Sequence, residues 1–216
     1  MDTILGMKYI LIIFLLFGIG LYGKSGVAAK KARFYGLVLP PIQKVYSELK
    51  VQYDEVARDI NSSSDTQKIQ KLKESYGVKS DKELLVVLKP HPKSIVLAQA
   101  AMESAWATSR FFIQANNIFG IWATEKDKCK IAANKKRGGT RTMWLRKFKT
   151  LEDSVRFYYR TIAKNKAYKE FREVRYNSDN VIEMVEKLDK YSEMGKKYTS
   201  ELRGLIRYNN LTKYDD

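Results

Sequence analysis

Residues 93–106, KSIVLAQAAMESAW, limit the possible folds more than any other stretch of the chain. Ile95, Val96, Leu97, Ala98, Ala100, Ala101 and Met102 leave almost no polar face, so a helix here must be buried on nearly every side. The rest of the chain has to wrap around it. Pro92 marks its start, and the spacing predicts a helix running to about Trp106. Two polar residues interrupt the apolar run. Gln99 and Glu103 are four apart and share one face, and Trp106 lies three further along the same stripe. Glu103 falls near the helix C-terminus, where the negative end of the dipole disfavours a carboxylate. Its apolar neighbours disfavour the ionised form as well. Both effects raise the pKa, and a carboxyl kept protonated near neutral pH can protonate a departing oxygen such as that of a glycosidic bond.

The flanking segments read as mostly helical. After Pro40 and Pro41, the residues Ile42, Val45, Tyr46, Leu49, Tyr53 and Val56 recur at helical spacing. NSSSD, 61–65, is a turn and N-cap, and the charged helix after it stops at Gly77. Ser80 begins another capped helix through residue 88. Residues 30–90 thus form an N-terminal helical region with a mostly exposed surface. Residues 116–149 are less regular. They contain NNIFGIW, the basic turn NKKRGG, and the strand-like TRTMWLRKF, with Gly138 and Gly139 suited to a β-hairpin turn. Four helical segments follow, at about 150–164, 166–175, 178–190 and 198–210. Helices, a small β piece and more helices make an α+β, mostly helical domain with two lobes and a cleft between them.

Scarce residues exclude several chemistries. There is one histidine, His91, and one cysteine, Cys129. A multi-ligand zinc site is excluded, no intrachain disulfide can form, and neither a Ser–His–Asp triad nor a Cys129–His91 pair is expected. No metal and no cofactor is called for, and carboxylates are the natural acid–base groups. Forty Lys plus Arg against 24 Asp plus Glu give a net charge of +16, which favours polyanionic surroundings: nucleic acid, anionic lipid or an acidic wall polymer.

The N-terminal residues 9–21, YILIIFLLFGIGL, are uncharged and follow Lys8. They are short for a membrane span and fit a signal-peptide core, with VAA at 27–29 as small residues for cleavage. An uncleaved anchor through residues 9–22 is the alternative. Either sends the remaining chain across a membrane, to the periplasm or cell envelope, so residues 1–29 are set apart as signal peptide or anchor. GIGLYGKS, Gly18 to Ser25, satisfies the phosphate-loop pattern, but it overlaps this export signal and no later strand ends in an aspartate for magnesium.

Trp106, Phe119 and Trp122 offer flat apolar surfaces for sugar rings, and Asn116 and Asn117 offer amides for hydroxyl and acetamido groups. LAQAAMESAWATSRF followed by NNIFGIW resembles the core motif of the bacterial endo-β-N-acetylglucosaminidases of glycoside hydrolase family 73, and more narrowly their Bax-type members. The likeness continues through SVRFYYRTIAKNKAYKEFREVR and LDKYSEMGKKYTSELRGLIRYNNLTKYD, and FYGLVLPPIQKV fits the Bax-type N-terminal region. The resemblance implies a lysozyme-like fold over residues 91–216 and cleavage of peptidoglycan glycan strands after N-acetylglucosamine, and the export signal argues against a nucleic-acid partner. It puts Glu103 in the general-acid place and Tyr191 at a cleft tyrosine, and matches Asn117, Phe119 and Gly120 to the Asn-x-Phe-Gly element. Gln99, Ser104, Trp106, Asn116, Asn117, Phe119 and Trp122 are the expected substrate-binding residues. One element departs from the family pattern. The stretch expected to carry a second acid, GGTRTMWLRKF, has no carboxylate. Glu125 and Asp127 lie earlier, with Glu125 the candidate second acid, while Glu152 and Asp153 read as charges at a helix start. Substrate assistance, lytic transglycosylation by a single glutamate, or a non-catalytic wall-binding role would each accommodate that gap.

Overall fold

The computed structural model describes residues 24–137 and 141–215; the apolar core of the export signal, the anchor at 9–22, most of the phosphate-loop pattern, and Gly138 and Gly139 lie outside the described residues. Among the described residues no helix is long and apolar enough to cross a membrane. Nine α-helices and one β-hairpin are described: α1 (Lys24–Asn61), α2 (Thr66–Tyr76), α3 (Asp81–Leu88), α4 (Lys93–Glu103), α5 (Arg110–Ala115), β1 (Lys130–Arg137), β2 (Arg141–Arg146), α6 (Leu151–Lys164), α7 (Lys169–Asn177), α8 (Val181–Glu186) and α9 (Lys196–Tyr208). The fold class is α+β and mostly helical, as the sequence pattern predicts.

Local signals set most of the helix ends. Asp65 accepts from the Lys68 N–H at the start of α2, and Gly77 ends α2 in the left-handed conformation. Ser80 and Glu83 form a reciprocal capping box on α3, and Thr150 and Asp153 do the same on α6. The α4 N-terminus is capped from a distance. Pro92 offers no side-chain acceptor, and the Asp215 carboxylate accepts from the Ser94 N–H at 2.7 Å. The C-terminal end of the chain thereby holds the central helix.

In two places the structure departs from the sequence expectation. The N-terminal helix begins at Lys24, with Pro40 and Pro41 inside it. Each proline removes one i→i−4 bond, freeing the carbonyls of Gly36 and Leu37, both of which are exposed. Burial of Phe34, Val38, Ile42 and Val45 on both sides of the prolines keeps α1 continuous. In the β-lobe, NKKR was expected to be a turn but lies in β1, which pairs antiparallel with β2. A register irregularity between Ala132 and Lys136 accommodates the pairing.

α4 is the axis of the core. Residues 93 to 101 of α4 are all buried. Around them pack Phe34, Val38 and Ile42 of α1, Val155, Tyr158 and Ile162 of α6, and Tyr198, Leu202 and Ile206 of α9. The core is continuous across residue 90, because α1 contributes to the same cluster as α4 and α9. A smaller cluster, Val56, Ile69, Leu84, Val87 and Leu88, joins α2 and α3 to the far end of α1.

Candidate active site

α4 stops at Glu103 because, after Ser104, the backbone turns left-handed. Ala105, Trp106 and Ala107 have φ of 51°, 60° and 60°. None is glycine, so each costs about 1–2 kcal/mol relative to right-handed backbone. Such strain persists only where the surroundings over-determine it. The buried Ser104 hydroxyl donates to the Ala100 carbonyl at 2.6 Å and accepts from the Ala107 N–H at 2.8 Å. The Trp106 N–H donates to the Ala101 carbonyl at 2.8 Å. Trp106 therefore leaves the Gln99–Glu103 stripe and packs on α1. Its ring meets Phe34 edge-on at 5.1 Å, and Lys31 sits over it at 5.1 Å. Arg33 of α1 donates to the Ala107 carbonyl at 3.3 Å. These contacts with α1 brace the strained turn.

Glu103 is half-buried and ends a chain of buried polar groups. The Tyr198 hydroxyl of α9 donates to Glu103 Oε1 at 3.2 Å, and Tyr198 accepts from Gln99 Nε2 at 2.9 Å. Gln99 Oε1 accepts from the Tyr158 hydroxyl, whose oxygen lies 2.9 Å from His91 Nε2. Each hydroxyl has one proton to donate, so these directions fix one another. Tyr158 donates to Gln99 and must accept from His91, which carries its proton on Nε2. Tyr198 accepts from Gln99 and must donate to Glu103. Oε1 is thus an acceptor, and the carboxyl proton belongs on Oε2. Burial pushes the Glu103 carboxyl up to about 8, the Tyr198 bond pulling weakly the other way. Burial, aided by the Arg175 charge, holds His91 well below the usual histidine range, so it is the neutral donor this chain requires.

Four residues expected to touch substrate are buried and have structural partners. Gln99 is fully buried and both ends of its amide are engaged in the chain just described. Ser104 pins the left-handed turn. Asn117 donates to the carbonyls of Ile121 at 2.9 Å and Arg146 at 2.8 Å, and accepts from the Ile121 N–H at 2.8 Å, tying the β-lobe to the helical body. Phe119 stacks on Tyr158 with centroids 4.1 Å apart. Asn116, half-buried, caps α5 in the left-handed conformation and donates to the carbonyls of Phe148 and Lys149. Trp122 is half-buried and pairs by backbone with Leu145, and its indole Nε1 has no hydrogen-bond partner among the described residues.

Tyr191 is fully buried, with its ring parallel to that of Tyr198 at 5.4 Å, and its hydroxyl makes no hydrogen bond among the described residues. Burial, then the Glu103 charge, raises its phenol. The tyrosine that bonds Glu103 is Tyr198, seven residues further on. Sequence reasoning missed Tyr198, Tyr158 and His91. The spacing of Tyr198, Leu202 and Ile206 on one face of α9 would have marked Tyr198 as inward-facing.

Of the other carboxylates, Glu125 is exposed in the turn before β1 and makes no hydrogen bond or ion pair among the described residues. Asp127 is tied to Thr124 and Arg146. Asp153 belongs to the α6 cap and Glu152 to the same first turn, as the helix-start reading expects. Cys129 is exposed and His91 is buried on Tyr158, so the two do not form a pair. Among the described residues no group of three His, Cys, Asp or Glu is placed to hold a metal.

Protein bax of Escherichia coli (strain K12) is 32% identical over 124 residues, which are 55% of this chain and 43% of that protein. The aligned part is thus less than half of that relative's length. Among solved structures, an N-acetylmuramoyl-L-alanine amidase from Staphylococcus aureus superposes on 87% of this chain and 44% of its own, at a TM-score of 0.50 and 16% identity, a likeness of fold. The catalytic domain of an autolysin from Listeria monocytogenes covers 91% of this chain at a TM-score of 0.49 and 17% identity. The glucosaminidase family model, described as mannosyl-glycoprotein endo-beta-N-acetylglucosaminidase, matches residues 88–211, from the end of α3 to beyond α9. That span is more than half of the chain and contains the whole Glu103 network, and the chain belongs to the glucosaminidase family.

Proposed function

We propose that this protein is a cell-wall hydrolase of the endo-β-N-acetylglucosaminidase type, cleaving β-1,4 bonds after N-acetylglucosamine in peptidoglycan with Glu103 as general acid. The observation that carries the reading is a carboxyl held up to about 8 at the end of a directed hydrogen-bond chain, with its proton on Oε2. At neutral pH that proton is available to the glycosidic oxygen as the C1–O bond breaks. The acetamido oxygen of the N-acetylglucosamine unit attacks C1 and supplies the electron pair, so no second protein carboxylate is required. The Glu103 carboxylate then takes a proton from water as the water attacks C1, which restores the acetamido group and the neutral acid. Tyr198 and Gln99 are positioning residues in this scheme, and Tyr191 backs the Tyr198 ring.

The expected export through residues 1–29 and the net charge of +16 suit an enzyme working on an anionic envelope polymer. The test is digestion of purified peptidoglycan followed by mass spectrometry of the products. Reducing-end N-acetylglucosamine supports the reading. Products ending in 1,6-anhydromuramic acid would mean a lytic transglycosylase, and no cleavage at all would mean a wall-binding scaffold.

A further inference from the structure

A cavity of about 170 Å³ lies where α1, α2 and α3 meet α6 and α7, with no member of the Glu103 hydrogen-bond chain in its lining. Its charged lining has one sign: Lys89, Arg156, Arg160 and Arg175, with no acidic residue. Two of these cations are already matched. Arg156 makes a fork-like pair with Glu48, and Lys89 lies 3.8 Å from Asp179. Arg160 and Arg175 have no carboxylate within 4.0 Å among the described residues.

Arg175 is the unusual member. It is 2% exposed, its Nη2 donates to the Val86 carbonyl, and its Nε is buried without a hydrogen-bond partner among the described residues. A buried guanidinium is costly unless an anion or a full set of acceptors compensates it. Arg160 stands exposed at the rim, over the Tyr76 ring at 5.9 Å. A deep arginine with a spare N–H, a second unmatched arginine at the mouth, and apolar walls from Leu49 and Leu88 make an anion-accepting recess. The volume corresponds to about five or six waters, enough for one phosphate or one small carboxylic acid.

We infer that this cavity is a binding site for a small oxyanion, a carboxylate or phosphate group held by Arg175 and Arg160. Its occupant would bridge the N-terminal helices to α6 and α7. The site lies apart from Glu103 and the side chains that bond it, although Arg175 and Tyr159 also border His91 at the far end of that chain.

The test uses the whole chain at constant ionic strength set with sodium chloride, titrated calorimetrically with N-acetylalanine and, separately, with inorganic phosphate. Saturable binding of either probe is expected, and the better binder identifies the head group. Binding should weaken at least fivefold in Arg160→Gln, a substitution at an exposed position. Saturating probe should also raise the wild-type Tm by about 5–10 °C at 100 times Kd. No saturable heat with either probe, or equal binding by Arg160→Gln and wild type, would overturn the assignment. Peptidoglycan cleavage by Arg160→Gln should remain at the wild-type level, so failure here is distinguishable from failure of the proposed catalytic function.

Discussion

Replacing Glu103 by glutamine should make the protein inactive and, above pH 5, more stable. The carboxyl rises from the ordinary glutamate value of 4.5 to about 8. The folded state therefore binds a proton between those values that the unfolded chain has released. The stabilisation belonging to the neutral acid is complete below pH 4.5 and is lost progressively as pH rises through 8. A separation of about 3.5 pH units corresponds to at most ~5 kcal/mol. Because Glu103 is half-buried, solvent screening brings this to about 3 kcal/mol. Glutamine keeps an oxygen to accept from Tyr198 and has no proton to lose. Chemical denaturation of wild type and Glu103→Gln at half-unit intervals from pH 4 to 9 is the assay. The stability difference should grow in favour of Glu103→Gln from near pH 4.5 and level off above 8. At pH 7.5 the variant should melt roughly 6–12 °C higher. Cleavage of peptidoglycan should fall at least ~10²-fold. A stability difference that stays flat between pH 5 and 8 would refute the account of Glu103 as a carboxyl kept neutral by its surroundings.

The same pKa gives wild-type cleavage an alkaline limb. Activity should decline as pH passes about 8, because the general acid then loses its proton, and a pH profile of kcat/KM reads this directly. Tyr198→Phe removes the bond that lowers the Glu103 pKa and leaves the Gln99 amide without its acceptor. The alkaline limb should move to higher pH, and stability should fall by about 1–3 kcal/mol in urea denaturation; a merely structural residue would leave the limb in place. Ala105→Gly relieves one left-handed alanine beside the general acid and should stabilise the fold by roughly 0.5–1 kcal/mol, read as a higher denaturant midpoint.

Much of the fold could be read from short-range chemistry. The apolar pattern of 95–102 identified a central buried helix, and Asp65, Gly77, Ser80 and Thr150 act on their own neighbours, so their helix ends are encoded locally. Residues whose packing depends on a distant partner are not legible in the same way. Trp106 looked like the next member of the Gln99–Glu103 stripe, but three left-handed residues, held by Ser104 and covered by α1, turn it away. Asn117 and Phe119 lie in a motif that suggests sugar contact, yet they are spent on the β-lobe junction and on Tyr158. His91 was set aside for want of a catalytic partner, and it begins the buried chain that reaches Glu103.

By itself, then, the sequence determined that an acid would sit at the end of a buried helix, because helix periodicity and hydrophobic burial depend only on residue spacing. Tertiary structure alone decided which groups complete that acid. Tyr198 lies 95 residues from Glu103 along the chain, and Tyr158 lies 59 from Gln99. Such bonds form only when α4, α6 and α9 pack, because packing excludes the water that would otherwise satisfy each group separately.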